Sequence, residues 1–255
     1  MKTDKNTMID LRQGDCLEVM KDIADKSVDM ILCDLPYGIT RNKWDKTISL
    51  IELWNVYNKI IKDNGAIILF SQMPYSATLV QSNLKMFRYE IIWEKTQGTG
   101  FLNAKKMPLK IHENILVFYK NLPTYNPQMR LGFKPYKTKS SLNSSYNYRN
   151  GIGNCLSKSD GERYPVDIIK FDYDRKDKVH PTQKPVALLE YLIKTYTNEN
   201  ELVLDNCMGS GSTGVACVNT NRNFIGIELD ENYFNIAKER IENAQGQKQN
   251  LSREV

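Results

Sequence analysis

Short apolar runs alternate with amphipathic helical patterns in two blocks of this chain, which is typical of a mostly parallel α/β sheet. In the first block, the apolar runs at 28–33 and 66–70 predict buried strands, and the apolar spacing over 48–62 predicts a helix between them. In the second block, the runs at 202–205 and 224–228 predict strands, each followed by a helical pattern. We therefore expect a three-layer fold with a twisted central sheet.

Two further strands are predicted at 87–93 and 114–119, and we expect them to pair antiparallel. They would add one antiparallel strand to the otherwise parallel sheet. The polar stretch from Asn243 onward is rich in Gln and Asn, and we expect it to fray.

The middle of the chain is predicted to be an irregular insertion into this fold. It contains Pro123, Pro127 and Pro135, followed by a Ser- and Asn-rich run over 140–150. We place the insertion at residues 121–162. Residues 1–120 and 163–255 then form the two halves of one domain.

Positive charge is concentrated around this insertion. The formal net charge of the chain is +5, but twelve Lys or Arg face three Glu between Lys85 and Arg149. The acid-free stretch 114–159 also carries several aromatic residues: Phe118, Tyr119, Tyr125, Phe133, Tyr136, Tyr146 and Tyr148. Basic residues interleaved with aromatic ones suit contacts with phosphates and stacking on bases. The alternative is a solvated basic loop.

Composition argues against membrane, secreted and zinc-binding classes. The longest apolar runs are too short to span a bilayer, and the N-terminal residues lack the apolar segment of a signal peptide. The five cysteines form no Cys-x-x-Cys pair, and only two histidines accompany them. We therefore expect a reduced, cytoplasmic protein without a metal.

The tetrad Asp34-Leu35-Pro36-Tyr37 directly follows the strand predicted at 28–33. A carboxylate can accept a hydrogen bond from the amino group of a base, and backbone carbonyls beside a rigid proline can accept a second one. The tyrosine ring can stack on the base, as pockets for flipped bases require. The alternative is a strand-to-loop turn with an exposed tyrosine.

A second constellation joins a predicted strand to a helix through Asp-Asn-Cys-Met-Gly-Ser-Gly-Ser-Thr at 205–213. A glycine-rich turn lets a ligand approach the backbone, and the helix N-terminus favours an anionic group. Glu228 ends the next strand, where a carboxylate can accept hydrogen bonds from two ribose hydroxyls. The pattern fits a nicotinamide dinucleotide or S-adenosylmethionine, and a plain surface carboxylate is the alternative for Glu228.

In chain order, these segments resemble the β-class S-adenosylmethionine-dependent DNA amino-methyltransferases, which modify adenine N6 or cytosine N4. The resemblance rests on five segments: Gly14-Asp15-Cys16, the tetrad at 34–37, His-Pro-Thr-Gln-Lys-Pro at 180–185, the glycine motif at 205–213, and Gly226-Ile227-Glu228. The chain departs from the family pattern at Leu35, where the family has proline, and at Asn206-Cys207, where Pro-Phe is common.

The resemblance implies a circularly permuted class I methyltransferase fold. Residues 1–120 would be its catalytic half, 121–162 a target-recognition region, and 163–255 its cofactor-binding half. It implies catalytic roles for Asp34, Pro36 and Tyr37. The implied S-adenosylmethionine contacts are Asp15, Cys16, Asp34, Lys184, Asp205, Gly209, Gly211, Ser212, Thr213 and Glu228. The expected DNA contacts are Lys134, Lys137, Lys139 and Arg149.

The implied reaction is site-specific transfer of a methyl group to adenine N6 of a base flipped out of double-stranded DNA. Aspartate at the start of the tetrad favours adenine; cytosine N4 is the alternative, and methylation of RNA or of protein glutamine is a more distant one. A nicotinamide dehydrogenase would leave the tetrad and the basic region unexplained, and a catalytically dead DNA-binding module would leave both motifs unused. His112-Glu113 is expected to be structural, with a part in shaping the target pocket as the alternative. A homodimer, a partner restriction endonuclease and the recognition sequence are left open.

Overall fold

The computed structural model describes residues 7–38, 47–140, 155–172 and 183–253. The chain divides into two compact units, one made of Met1–Asn126 with Asp167–Val255 and the other of Pro127–Val166. Arg149 and the first three residues of the motif at 180–185 lie outside the described residues.

The described residues contain ten strands in chain order. They are β1 (Ile9–Gln13), β2 (Val28–Asp34), β3 (Ile61–Ser71), β4 (Phe87–Thr99), β5 (Lys110–Phe118), β6 (Tyr136–Ser140), β7 (Cys155–Ser159), β8 (Ile168–Lys170), β9 (Leu202–Asp205) and β10 (Asn223–Glu228). Eight of them form one sheet in the order β1-β10-β9-β2-β3-β5-β4-β8. β5 runs antiparallel to both of its neighbours, β3 and β4, and the other paired neighbours are parallel. The prediction of a mostly parallel sheet with one antiparallel strand is confirmed.

Helices cover both faces of this sheet. They are α1 (Cys16–Val19), α2 (Leu50–Ile60), α3 (Tyr75–Ser82), α4 (Val186–Tyr196), α5 (Ser212–Asn219) and α6 (Glu231–Arg253). One apolar core packs β-strand side chains against α2 and α3, and a second packs them against α4, α5 and α6. β2 contributes Met30 and Leu32 to the second core, and Ile31 and Cys33 to the first. Because both of its faces are buried, β2 reads as an apolar run from Met30 through Cys33.

The two sequence blocks meet in the middle of the sheet. β2, from the first block, pairs in parallel with β9, from the second, with Met30 opposite Val203 and Ile31 opposite Leu204. Parallel strands present their carboxyl ends at one edge of the sheet, where ligands bind in open α/β folds. Asp34, Asp205 and Glu228 end β2, β9 and β10, and therefore lie at this edge.

The fraying predicted from Asn243 onward was wrong for the described residues, since α6 continues through Arg253. Ala244 packs against the core beneath the helix. The Lys248 ammonium donates hydrogen bonds to the Val218 carbonyl and the Asn221 side chain. These interactions hold a segment whose composition alone suggested a free end.

The Pro127–Val166 unit contains the antiparallel pair β6–β7. Lys137 in β6 lies opposite Lys158 in β7, so both side chains project from the same face of this pair. Composition had predicted an irregular segment, and the pairing shows that part of it is regular.

No helix within the described ranges is long and apolar enough to cross a membrane.

Candidate active site

A cavity of about 540 Å³ lies at the carboxyl ends of β2, β9 and β10. This volume is in the range of small-molecule and cofactor sites. The cavity brings together nearly all of the predicted catalytic and cofactor residues: Asp15, Cys16, Asp34, Pro36, Tyr37, Lys184, Asp205, Gly209, Ser212, Thr213 and Glu228. Gly211 is the member of the predicted set that does not line it. The two sequence motifs therefore face one space.

Both oxygens of the Asp34 carboxylate are held by neighbouring side chains. The Tyr37 hydroxyl donates a hydrogen bond to Oδ1 over 2.6 Å, and the Lys184 ammonium donates to Oδ2 over 2.5 Å. Burial, together with the charge of Asp34, raises the pKa of Tyr37 above its usual value. The tyrosine is therefore a protonated donor that orients the carboxylate. Its ring lies 5.1 Å from the Tyr75 ring, between centroids.

Asp34 belongs to a chain of ion pairs that continues through Lys184 and Glu113 to Lys95. Glu113 forms ion pairs with Lys95 and, over 3.2 Å, with Lys184. The side chains of Lys95, Glu113 and Lys184 are 6%, 13% and 10% exposed. Each of these three groups therefore depends on its partners to offset the loss of water.

The charges of their ion-pair partners determine the direction of the pKa shifts of Glu113 and Lys184. Burial alone would raise the pKa of Glu113, but the charges of Lys184 and Lys95 lower it overall. Burial alone would lower the pKa of Lys184, but Asp34 and Glu113 raise it overall. Glu113 is therefore a carboxylate and Lys184 an ammonium at neutral pH.

Sequence reasoning missed the part that Glu113 and Lys95 take in this site. We had favoured a structural role for Glu113 over a part in shaping a pocket; the residue lines the cavity on β5 and contacts Lys184. Lys95 lies on the adjacent strand β4. Local sequence carries no signal for the ion pairs of Glu113. Its pair with Lys95 depends on the register between β4 and β5, and its pair with Lys184 depends on the packing of the segment before α4 against β5.

Leu35, which stands where the family motif has proline, is 2% exposed. Its side chain belongs to the core that also contains Leu53 and Tyr57 of α2. The departure from the motif is therefore accommodated by apolar packing on the helix side, and Leu35, Pro36 and Tyr37 all line the cavity.

The glycine-rich turn is shaped by two close approaches. Gly211 precedes α5 with φ +80°, and a Cβ there would lie 2.9 Å from the Cα and Cβ of Ala237 in α6. Only glycine fits this left-handed position against the helix. Arg240 of α6 also donates a hydrogen bond to the Ser210 carbonyl over 2.5 Å. Gly211 thus positions the turn, and Gly209 and Ser212 line the cavity.

Glu228 is oriented by backbone amides. Its Oε2 accepts from the Gly209 N–H over 2.8 Å and its Oε1 from the Asp230 N–H over 2.9 Å. Burial raises the pKa of Glu228, and these hydrogen bonds oppose that shift. A carboxylate offers about four acceptor positions, so Glu228 keeps acceptor capacity beyond that taken by these backbone amides.

Asp205 is anchored in the same way beside the turn. Its Oδ2 accepts from the Thr213 hydroxyl over 2.6 Å and its Oδ1 from the Cys207 N–H over 3.1 Å. Burial raises the pKa of Asp205 to about 6. The carboxylate is therefore ionised at neutral pH and becomes protonated as the pH falls through that value. Asp15 lies in the first of the five segments and caps α1, where its side chain accepts a hydrogen bond from the Leu17 N–H.

The second departure from the family pattern, Asn206-Cys207, is also accommodated locally. The Tyr57 hydroxyl of α2 donates to the Asn206 side-chain oxygen over 2.5 Å, so this buried amide is satisfied. Cys207 and Cys16 both line the cavity as free thiols. Among the residues that the structure describes, no three His, Cys, Asp or Glu side chains are grouped to hold a metal ion.

The expected DNA contacts lie apart from the cavity residues in sequence. Lys134 and Lys137 are exposed in the Pro127–Val166 unit, Lys139 follows in β6, and Arg149 is outside the described residues. In the same unit, the Arg163 guanidinium lies 4.4 Å from the centroid of the Tyr136 ring. The interleaving of basic and aromatic residues in the sequence thus becomes direct cation–π contact.

Comparison with known proteins points to one family. The family model N6_N4_Mtase, described as DNA methylase, matches residues 28–239. The type II methyltransferase M.HpaI of Haemophilus parainfluenzae is 26% identical over 249 residues, which cover 90% of this chain and 73% of that protein. DNA adenine methyltransferase YhdJ of Escherichia coli (strain K12) is 28% identical over 243 residues, covering 90% of this chain and 81% of YhdJ. The crystal structure of the M1.HpyAVI–SAM complex matches with a TM-score of 0.63 and 28% identity, over 91% of this chain and 100% of that one.

Proposed function

Because the chain belongs to the N6/N4 DNA methylase family, we propose that it methylates adenine N6 of a base flipped out of double-stranded DNA. The chain is an S-adenosylmethionine-dependent DNA methyltransferase. The observation that carries the finer proposal is that the Asp34 tetrad and the Glu228 carboxylate open into the same cavity. One space thus offers acceptors for an amino group and acceptors for a ribose.

The residues of the cavity fit S-adenosylmethionine. The acceptor capacity that the backbone amides leave on Glu228 suits the hydroxyls of a ribose. Asp15, Asp205 and the turn at Gly209 supply further polar groups around the same space. When bound, S-adenosylmethionine supplies a methyl group on a positively charged sulfur. We assign its binding to these residues together with Cys16, Lys184, Ser212 and Thr213; Asp34 borders the same space but contributes mainly to methyl transfer.

The tetrad is suited to activate the amino group of a base. The lone pair of such an amine is delocalised into the ring, which makes the nitrogen a poor nucleophile. An Asp34 oxygen and the carbonyl of Leu35 or Pro36 accept its two hydrogens, which draws the lone pair back to nitrogen. Most of the catalysis then comes from orientation and charge stabilisation. Tyr37 stacks on the base and also orients Asp34 through its hydroxyl.

Adenine is favoured over cytosine by the aspartate at position 34 and by the similarity to YhdJ, which is named as a DNA adenine methyltransferase. Cytosine N4 is the second candidate, because it presents the same amino group beside a ring nitrogen. Nucleoside digestion and mass spectrometry of DNA from cells that express the protein test the choice. We expect N6-methyladenine, and N4-methylcytosine without N6-methyladenine would overturn the assignment. Filter assays with RNA and protein acceptors test the more distant alternatives.

Replacing Glu228 with alanine is expected to weaken S-adenosylmethionine binding by about 1–3 kcal/mol, because ribose hydroxyls are left unpaired. Titration calorimetry measures the effect. Glu231→Ala, which removes an exposed carboxylate at the start of α6, is the matched control and should bind like the parent. Unchanged cofactor affinity in a folded Glu228→Ala protein would contradict the assigned ribose site.

We further propose that the basic insertion binds DNA and reads its sequence. Neutralising Lys134, Lys137 and Lys139 together should lower DNA affinity and flatten its salt dependence, by roughly one unit of slope for each phosphate that is no longer neutralised. Binding isotherms over a series of salt concentrations measure the slope. Replacing Lys21, Lys59 and Lys238, which are exposed elsewhere, gives a control of equal charge change. The proposal fails if both triple variants keep the parent's salt profile.

The cytoplasmic location stays a prediction from sequence, and the homodimer and the partner restriction endonuclease stay open. The recognition sequence can be read by sequencing methylated bases in DNA from expressing cells.

A further inference from the structure

The loop between β4 and β5, residues 100–109, exposes an unusual amount of apolar surface. Phe101 is 79% exposed, Leu102 99% and Met107 59%. The first two lie on a short 3-10 turn that begins after Gly100, which has φ +87°. Every residue from 101 to 109 is exposed. An exposed apolar cluster of this kind marks an interaction surface.

The charges of this β4–β5 loop indicate a negatively charged partner. No Asp or Glu occurs between Glu94 and Glu113, and the loop itself carries Lys105 and Lys106 beside its apolar residues. Both lysines are exposed. Lysines next to apolar tips match a partner that presents phosphates next to stacked bases. A two-fold contact with a second copy would instead place like charges together.

The base of the loop lies at the rim of the cavity. Lys110 begins β5 and donates a hydrogen bond to the Gln72 side-chain oxygen over 2.7 Å, and Gln72 lines the cavity. Glu113 of the same strand also lines it. Thr99 pairs with Lys110 and closes the loop. The loop therefore projects from the strand pair that carries part of the cavity wall.

We propose that the β4–β5 loop enters the DNA duplex at the base pair from which the target is withdrawn. Phe101 and Leu102 occupy the space that the flipped base leaves, and Lys105 and Lys106 contact the flanking phosphates. Apolar side chains that fill this space keep the neighbouring bases from closing over it and offset the loss of stacking. This inference rests on the proposed function, since it requires a base that leaves the helix.

Substituting both Phe101 and Leu102 with alanine tests the inference on two duplexes that contain the recognition site. In one, the target adenine is paired; in the other, it lies opposite an abasic site and is already unpaired. The variant should lose about tenfold or more in kcat/KM on the paired duplex and stay within about twofold of the parent on the unpaired one, because only the first requires the helix to be opened. Leu84→Ala, at a residue 58% exposed after α3, is the matched control.

A fluorescent 2-aminopurine at the target position gives a second measurement, and its increase on enzyme binding should shrink in the double variant. Equal losses on both duplexes, or no loss on the paired one, would overturn the inference. A change in oligomeric state by light scattering would show that the loop is a protein interface and would overturn it as well. A parent protein that methylates neither duplex contradicts the proposed function, whereas an active parent with an unimpaired variant contradicts the role of the loop alone.

Discussion

Replacing Asp34 with alanine is expected to abolish methyl transfer, by at least about 10³-fold, while S-adenosylmethionine binding stays close to that of the parent. Asp34 ends β2 at the cavity, with both oxygens aimed by Tyr37 and Lys184. Its hydrogen bond to the target amine gains strength as the nitrogen becomes tetrahedral, so its loss falls mainly on the transition state. Glu113 still pairs with Lys184 in the variant, which limits disturbance of the cavity.

Single-turnover methylation and calorimetry separate the two effects of this substitution. Asp34→Asn is the matched variant, since it keeps the size of the side chain but replaces one acceptor oxygen with a donor. It should also be severely impaired. Turnover within tenfold of the parent would remove Asp34 from the catalytic role, and a parallel loss of cofactor affinity would assign it to binding instead.

Removing Glu113 is expected to destabilise the fold by about 3–5 kcal/mol, because a buried charge that loses its partner is strongly unfavourable. Lys95 and Lys184 both pair with this carboxylate and are almost fully buried. With about 2–4 °C of melting temperature per kcal/mol for a chain of this size, Glu113→Ala should melt roughly 10 °C below the parent. Glu113→Gln keeps the volume and an acceptor, and should recover part of the loss.

Glu94→Ala provides the comparison on the neighbouring strand. Glu94 pairs with Lys170 over 3.5 Å, and these side chains are 41% and 61% exposed. Surface pairs of this kind contribute about 0–1 kcal/mol. Denaturant unfolding of the two alanine variants measures the difference, and similar unfolding midpoints would show that the charge network does not depend on Glu113.

The sequence predicted the layers of the fold because strands buried on both faces of the sheet appear in it as short apolar runs. β2 reads as an apolar run from Met30 through Cys33 for this reason, and the strand ends at Asp34, two residues before Pro36. The limits of β3 were less visible. The helical spacing suggested a helix through 62, yet Ile61 already begins the strand by pairing with Val28. Pairing with a distant partner decided that boundary, and polar residues at 62–64 hide it from local pattern.

The sequence predicted the residues of the candidate site that belong to motifs. It did not predict the contacts that arise only from the pairing of distant strands. Glu228 and Asp205 stand at strand ends beside a glycine turn, which the sequence shows directly. Glu113 and Lys95 carry no motif, and their ion pair arises because β5 runs antiparallel beside β4. Helix α6 is a second example, since Lys248 is held by groups near the end of α5 that composition could not reveal.

The position of β1 at the edge of the sheet has a consequence for the newly made chain. Within the described residues β1 pairs with β10, and the Met8 amide donates to the Asn223 side chain 215 positions later. At ribosomal speeds of about 5–20 residues per second, roughly 10–40 s separate the synthesis of these two strands. Until β10 is made, β1 lacks its partner strand and Glu228 does not exist. The β1–β10 pairing and the Glu228 part of the cofactor site therefore form only after nearly the whole domain has been synthesised.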